Sequence, residues 1–244
     1  MEGGGASFGE GDGAAEDGGG DGDDAGQGVS GADSLLLGGR DRSWEPTRLD
    51  RLIPGRSSCY AFAQRPLEMD DLGALLHLGA GVKAIAETAE GTVPLRMAPS
   101  AGSLQPVNVY VAACDVTGVP PGIYSYHPVR HALDLVRRGD PRDALANGCL
   151  QEFVATAPAT VVLTCSLDRV RWRYGSRAYR SVHLDAGVQC HNLLLVAADL
   201  GLGCCAVFGF FEERLDEILA IDGTTEFTTL VMPIGYPATT GPPR

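Results

Sequence analysis

The first 34 residues contain no lysine or arginine, yet they hold nine acids among glycines and alanines. Such a stretch buries too little apolar surface to offset its ordering entropy, so the expectation is a disordered, acidic, glycine-rich tail. It has no apolar segment behind a positive start, as a secretory leader would, and no arginines, as an organelle-targeting peptide would. No apolar run approaches the ~18 residues that cross a bilayer. A cytoplasmic protein without membrane partners is expected. The chain carries a net charge of −12, and removing the nine tail acids leaves −3 for the remainder. A body so close to neutral has no basic field for nucleic acid. Repeats and heptads are missing too, which excludes solenoids and coiled coils. No Cys-x-x-Cys pair occurs, and the seven cysteines (Cys59, Cys114, Cys149, Cys165, Cys190, Cys204, Cys205) are odd in number and scattered. That argues against a disulfide framework. Adjacent Cys204 and Cys205 cannot both reach one zinc without strain, so no metal site is expected.

The 244 residues suit one folded domain behind the tail. The reading is a tail over 1–34, a connector over 35–50, a domain over 51–237 and a flexible end over 238–244, with no helix assigned before Pro54-Gly55. Acids after Pro66-Leu67, followed by Leu72, Leu75, Leu76 and Leu78, predict a helix that Gly79 and Gly81 end. Residues 82–98 read as loop. Val107–Cys114 predicts a buried strand, Ile123–Tyr126 and His131–Val136 two more, and Ala159–Ser166 a fourth. Pro141–Gln151 reads as helical, Leu184–Leu200 as a helix apolar almost all round, and Glu213–Leu219 as a short amphipathic helix. Cys205–Phe210 reads as strand and loop, and Leu230–Ile234 as the last strand. Without steady βαβ alternation the class is α+β, a central mixed or antiparallel sheet flanked by helices. A helix apolar on every side must be buried on every side, which implies burial of residues 184–200 by a second subunit.

Four segments carry chemistry. Pro99-Ser100-Ala101-Gly102-Ser103-Leu104-Gln105-Pro106 is a turn of small residues running into the strand from Val107. Small side chains let a flat ligand approach the backbone, and free N–H groups of a turn can bond its heteroatoms. In Arg56-Ser57-Ser58-Cys59-Tyr60-Ala61-Phe62 an arginine fork and a hydroxyl can bind a phosphate and neighbouring oxygens. Ala206-Val207-Phe208-Gly209-Phe210 combines a backbone donor at Phe208 with a glycine that permits close approach. Trp172-Arg173-Tyr174-Gly175-Ser176-Arg177-Ala178-Tyr179-Arg180 runs on to Leu184-Asp185-Ala186-Gly187 and Asn192. Each segment alone has an ordinary alternative as a loop or strand end, and a lone histidine such as His191 in a buried helix is usually a core residue.

In this order and spacing, over nearly all of residues 50–237, the segments resemble the FMN-dependent nitroreductase superfamily. The branch named for SagB and McbC is the most similar, and it carries a hairpin like Gly122-Ile123-Tyr124-Ser125-Tyr126-His127-Pro128. The resemblance implies a nitroreductase-like fold and a homodimer holding FMN at the subunit interface. It implies that Arg56, Ser58, Pro99, Ser100, Ala101, Ser103, Gln105, Phe208 and Gly209 hold the cofactor, with the Phe208 N–H facing the flavin ring. Tyr174 becomes the acid–base residue and Arg173 its electrostatic partner. Two positions depart from the family's pattern: Tyr60 stands where it has a cation, and Arg173 where the branch has lysine. A guanidinium stays protonated at neutral pH, so Arg173 can steady an anion but not act as a base. The implied reaction is dehydrogenation of a peptide thiazoline or oxazoline to the azole, with a cyclodehydratase as a possible partner. A nitro or quinone reductase using NAD(P)H is the alternative enzyme; the missing Gly-x-Gly-x-x-Gly fingerprint does not exclude it, because the family needs none. A flavin-free partner subunit of a biosynthetic complex is the non-catalytic alternative. The substrate, peptide or small molecule, is not legible.

Overall fold

Strand β6 (Ala159–Ser166) is the middle of the fold, and only Ser166 of its eight residues escapes burial. In the computed structural model, which describes residues 47–88 and 91–238, six strands form one sheet in the order β5-β4-β3-β6-β8-β7. The others are β3 (Val107–Ala113), β4 (Gly122–His127), β5 (Ala132–Arg138), β7 (Gly203–Cys204) and β8 (Glu226–Gly235). Every pairing is antiparallel. The tail over 1–34, most of the connector (35–46) and the end from 239 lie outside the described residues.

Alternation along β3 shows why these strands read as continuous apolar runs. Val109 and Val111 face one core with helices α2 (Met69–Ala80) and α5 (Ala178–Asp199). Tyr110 and Ala112 face a second core with α3 (Arg142–Gly148) and α6 (Glu212–Leu219). A sheet covered on both faces needs apolar residues at both parities. On α2, Leu72, Leu75 and Leu76 form the buried stripe of an amphipathic helix. Its C-terminal end is tied to α5: the side-chain amides of Gln189 and Asn192 both donate to the Gly79 carbonyl, at 2.5 and 2.7 Å.

The structure differs from the sequence reading in four places. A helix, α1 (Arg48–Gly55), occupies part of the presumed connector, started by a reciprocal cap between Thr47 and Asp50. Residues 82–98 contain a two-stranded hairpin, β1 (Val82–Thr88) and β2 (Gly91–Arg96), instead of a loop. Most of β1 is exposed, so it lacks the apolar alternation that marks a half-buried strand. Residues 168–174 form helix α4, and α5 begins at Ala178, six residues before the expected start. Finally, α5 is buried on one face only. Leu193 and Ala197 are inside, while Leu184 is 64% and Val188 41% exposed. Its apolar circumference is therefore not covered by its own chain.

Candidate functional site

The turn after Pro99 is unusually wound. Gly102, Ser103 and Gln105 have φ values of 60°, 56° and 50°, a left-handed region that non-glycine residues seldom occupy. Its own groups hold it there. The Ser100 hydroxyl accepts the Gln105 N–H at 2.9 Å, the Ser100 carbonyl accepts the Ser103 N–H at 3.1 Å, and the Ala101 carbonyl accepts the Leu104 N–H at 3.3 Å. The Ala101 N–H donates to both carboxylate oxygens of Asp185, at 3.0 and 3.2 Å. The expectation that these N–H groups stand free for a ligand is corrected: those of Ala101, Ser103, Leu104 and Gln105 are already bonded. Ser100 and Gln105 build the turn. Asp185 is brought to it by α5 from 84 residues downstream, which no local reading can see. Burial pushes the Asp185 carboxyl above its ordinary value, and the Ala101 N–H opposes that shift.

Helix α4 delivers Arg173 and Tyr174 to the same turn. A Cβ added at Gly102 would stand 2.7 Å from the Tyr174 hydroxyl and 3.6 Å from the Arg173 guanidinium carbon. Gly102 therefore serves twice, by its positive φ and by leaving room for the phenol. Tyr174 is half-buried against the core and Arg173 is exposed. Arg169, one turn earlier, donates to the Gln105 carbonyl at 2.9 Å and ties α4 to the turn. Residues 168–174, to which the sequence reading assigned no element, position this pair by helical geometry.

The Phe208 loop is fixed at both ends. Val207 and Val231 exchange backbone bonds of 2.8 and 3.1 Å, and the Gly209 carbonyl accepts the Leu150 N–H at 2.9 Å. The Phe208 N–H meets no acceptor among the described residues. A Cβ at Gly209 would collide with the Gln151 amide, whose Oε1 is buried without a partner. The Phe208 side chain is 72% exposed and borders a cleft of about 390 Å3 with His183, Cys190, His191, Leu194 and Leu230. His191 is exposed on this face of α5, not inside a buried helix.

Arg56 follows α1, and Ser58 lies two residues on. Cys59 fastens the segment to β7 through an N–H bond to the Cys204 carbonyl at 3.1 Å. Arg56 has no acidic partner among the described residues. Its charge reaches the Cys190 and Cys205 thiols, and lowers them against the stronger upward push of burial. Tyr60 is exposed and meets the Phe153 ring edge-on at 5.3 Å. No hydrogen bond or ion pair joins Arg56 or Ser58 to the Pro99–Gln105 turn among the described residues. Helix α5 relates the two: Asp185 touches the turn and Cys190 lies near Arg56. Sequence reasoning quoted Asp185 without giving it a role and overlooked Arg169 and Gln151. An acid inside an apolar helix was the available signal for Asp185; the other two had none.

No helix among the described residues is long and apolar enough to cross a membrane, and no three metal-ligating side chains gather among them. A sequence profile described as the Nitroreductase family matches residues 53–236. A Methanocaldococcus jannaschii protein with a provisional nitroreductase name is 33% identical over 192 residues, covering 78% of this chain and 92% of that protein. A crystal structure provisionally named a nitroreductase from Anabaena variabilis is 32% identical with a TM-score of 0.65. It covers 68% of this chain, which spans about a third (34%) of that longer protein. Two likenesses at 19% identity carry the fold alone. One is the Escherichia coli microcin synthetase McbBCD complex with a truncated pro-peptide bound, with a TM-score of 0.67 over 84% of this chain and 75% of that one. The other is a Desulfovibrio desulfuricans structure in complex with FMN, with a TM-score of 0.55 over 81% and 92%.

Proposed function

The chain belongs to the nitroreductase family of oxidoreductases, and on that premise we propose that it is an FMN-dependent dehydrogenase of the SagB/McbC type, acting as a homodimer. The substrate in this reading is an azoline ring of a peptide, oxidised to the azole. The observation that carries it is the meeting of Arg173 and Tyr174 with Gly102, which sets a proton-transferring phenol beside the small-residue turn.

The residues present fit FMN at two ends. Arg56, without an acidic partner among the described residues, supplies a charge for the phosphate, and Ser58 follows two residues on. The Phe208 N–H, without an acceptor among the described residues, supplies a donor for the ring, and the cleft next to it is apolar. The turn contributes less than the resemblance implied: Pro99, Ala101 and Ser103 offer shape and close approach, since most of its donors are spent. FMN, when bound, supplies the uptake of two electrons from substrate. Tyr174 then handles the proton at its hydroxyl oxygen, and Arg173 steadies negative charge that develops as the substrate C–H bond is broken. Asp185 holds the turn in place. The exposed apolar side of α5, with Leu184 and Val188, supports the homodimer, because a second copy would remove that surface from water. In the SagB/McbC reading the substrate is a peptide and a cyclodehydratase is the partner; the fold itself also occurs in a microcin synthetase complex solved with a truncated pro-peptide.

The first test is an absorbance spectrum of purified protein with extraction and mass identification of the chromophore. The proposal expects FMN. Protein that stays colourless after incubation with excess FMN removes the chemistry and favours a flavin-free partner subunit, a reading that the bonded turn donors support. A nitro or quinone reductase is supported by the 33% relative. Flavin reduction by NAD(P)H in anaerobic buffer would select it.

A further inference from the structure

A second cavity, of about 660 Å3, opens between α2 and the β4–β5 hairpin. It shares no lining residue with the cleft at Phe208. Its volume falls within the ~300–1,000 Å3 of small-molecule sites. Met69, Val119, Pro120 and Leu133 give its accessible apolar lining, with Leu72, Leu76 and Tyr124 buried behind them. His131, an exposed residue at the cavity's rim, contributes an imidazole to the lining beside Tyr126 and Asp70.

His131 occupies a position where the backbone wants glycine. It closes the β4–β5 turn with φ of 49°, the left-handed conformation that hairpin loops usually assign to Gly or Asn. The chain carries a histidine there and spends conformational energy to keep it. The ring is fixed on several sides. Its Nδ1 lies 2.9 Å from the Tyr126 hydroxyl, the His77 ring lies edge-on at 5.4 Å, and its Nε2 would be 3.6 Å from a Cβ on Gly73. With the Tyr126 hydroxyl as donor, its hydrogen lies on Nδ1. The proton of the neutral ring then sits on Nε2, which makes it a donor.

Charge selects the ligand class. No lysine or arginine lines the cavity, and Asp70 stands on its wall, so an anion finds repulsion. A cation would exchange its hydration for apolar walls and one exposed carboxylate. We propose that the cavity binds an uncharged aromatic molecule carrying a hydrogen-bond acceptor, with that acceptor on His131 Nε2 and the rings against Met69, Val119 and Leu133. The site is independent of the flavin reading.

The experiment titrates full-length protein with prodan, a neutral naphthyl ketone whose emission reports polarity and hydrogen bonding. Saturable binding of one prodan per chain with a blue-shifted emission is expected. His131→Gly suits the turn, so it should melt no lower than the parent while weakening binding about tenfold, the size of a lost hydrogen bond and ring contact. Gly73→Phe should fill the cavity and abolish binding, and it keeps the test alive if the turn variant misfolds. Saturating FMN should leave the prodan affinity unchanged. Non-saturable binding, unaltered affinity in Gly73→Phe, or displacement by FMN would each overturn the proposal.

Discussion

The Tyr174 hydroxyl lies over the backbone of Gly102, so near that a methyl group there would stand 2.7 Å from it. Two segments separated by about seventy residues thus form one surface, and the contact depends on a hydrogen atom in place of a side chain.

Gly102→Ala adds a clash to a φ of 60° that alanine adopts with strain. Chemical denaturation should show a loss of about 1 kcal/mol or more, and turnover should fall as Tyr174 is displaced. Removing the hydroxyl relieves part of the clash. The double variant Gly102→Ala with Tyr174→Phe should therefore be more stable than the sum of the single effects predicts. Simple additivity would show that the two residues do not touch.

The part-buried Ala101 N–H needs its acceptor. Asp185→Ala should cost about 1–3 kcal/mol by leaving that donor unpaired, whereas Asp185→Asn keeps an oxygen in place and should cost less. The pH dependence has a definite sign. Burial raises the carboxyls of Asp185 and Asp216 above the ordinary 3.8. In the interval between 3.8 and their raised values, the folded protein binds more protons than the unfolded chain. Their contribution to stability is greatest below that interval and declines as pH rises through it. Asp185→Asn should flatten the pH profile of the denaturation midpoint there, and an unchanged profile would contradict the assignment.

Six of the seven cysteines are buried, and Cys59 alone is half-exposed. Burial pushes Cys114 and Cys165 up to about 12, and Cys149 and Cys190 up to about 11. Ellman's reagent should titrate about one thiol rapidly in the native protein and all seven after unfolding. Cys59→Ser should abolish the rapid phase. Several fast thiols would mean a more open β7 region than described.

Leu184 lies on the bare face of α5. Leu184→Glu should shift sedimentation from dimer to monomer while leaving the secondary structure intact. A parent protein that sediments as a monomer at working concentration would refute the dimer directly.

Much of the scaffold was legible. Val107–Cys114 (observed as Val107–Ala113) and Ala159–Ser166 read as strands because residues of both parities are apolar, and the chain finds helices on both faces to satisfy them. The leucines of α2 carried helical spacing for the same reason. Exposed elements escaped notice: the 82–96 hairpin holds its register by backbone bonds and buries little, so its side chains carry no pattern. In the candidate site, the residue types of Arg56, Ser58, Tyr174 and Phe208 could be read from motifs, whereas their neighbours could not.

The sequence by itself determined which residues seek the interior and which carry chemistry, since solvent exclusion and local periodicity act between near neighbours along the chain. Only the tertiary structure decided that Asp185 would consume the Ala101 donor, that Gly102 would receive Tyr174, and that Tyr126 would hold His131 at the rim of a cavity. Those outcomes rest on hydrogen bonds and close packing, whose strength changes within a fraction of an ångström. Where α2, α4 and α5 settle on the sheet sets such distances.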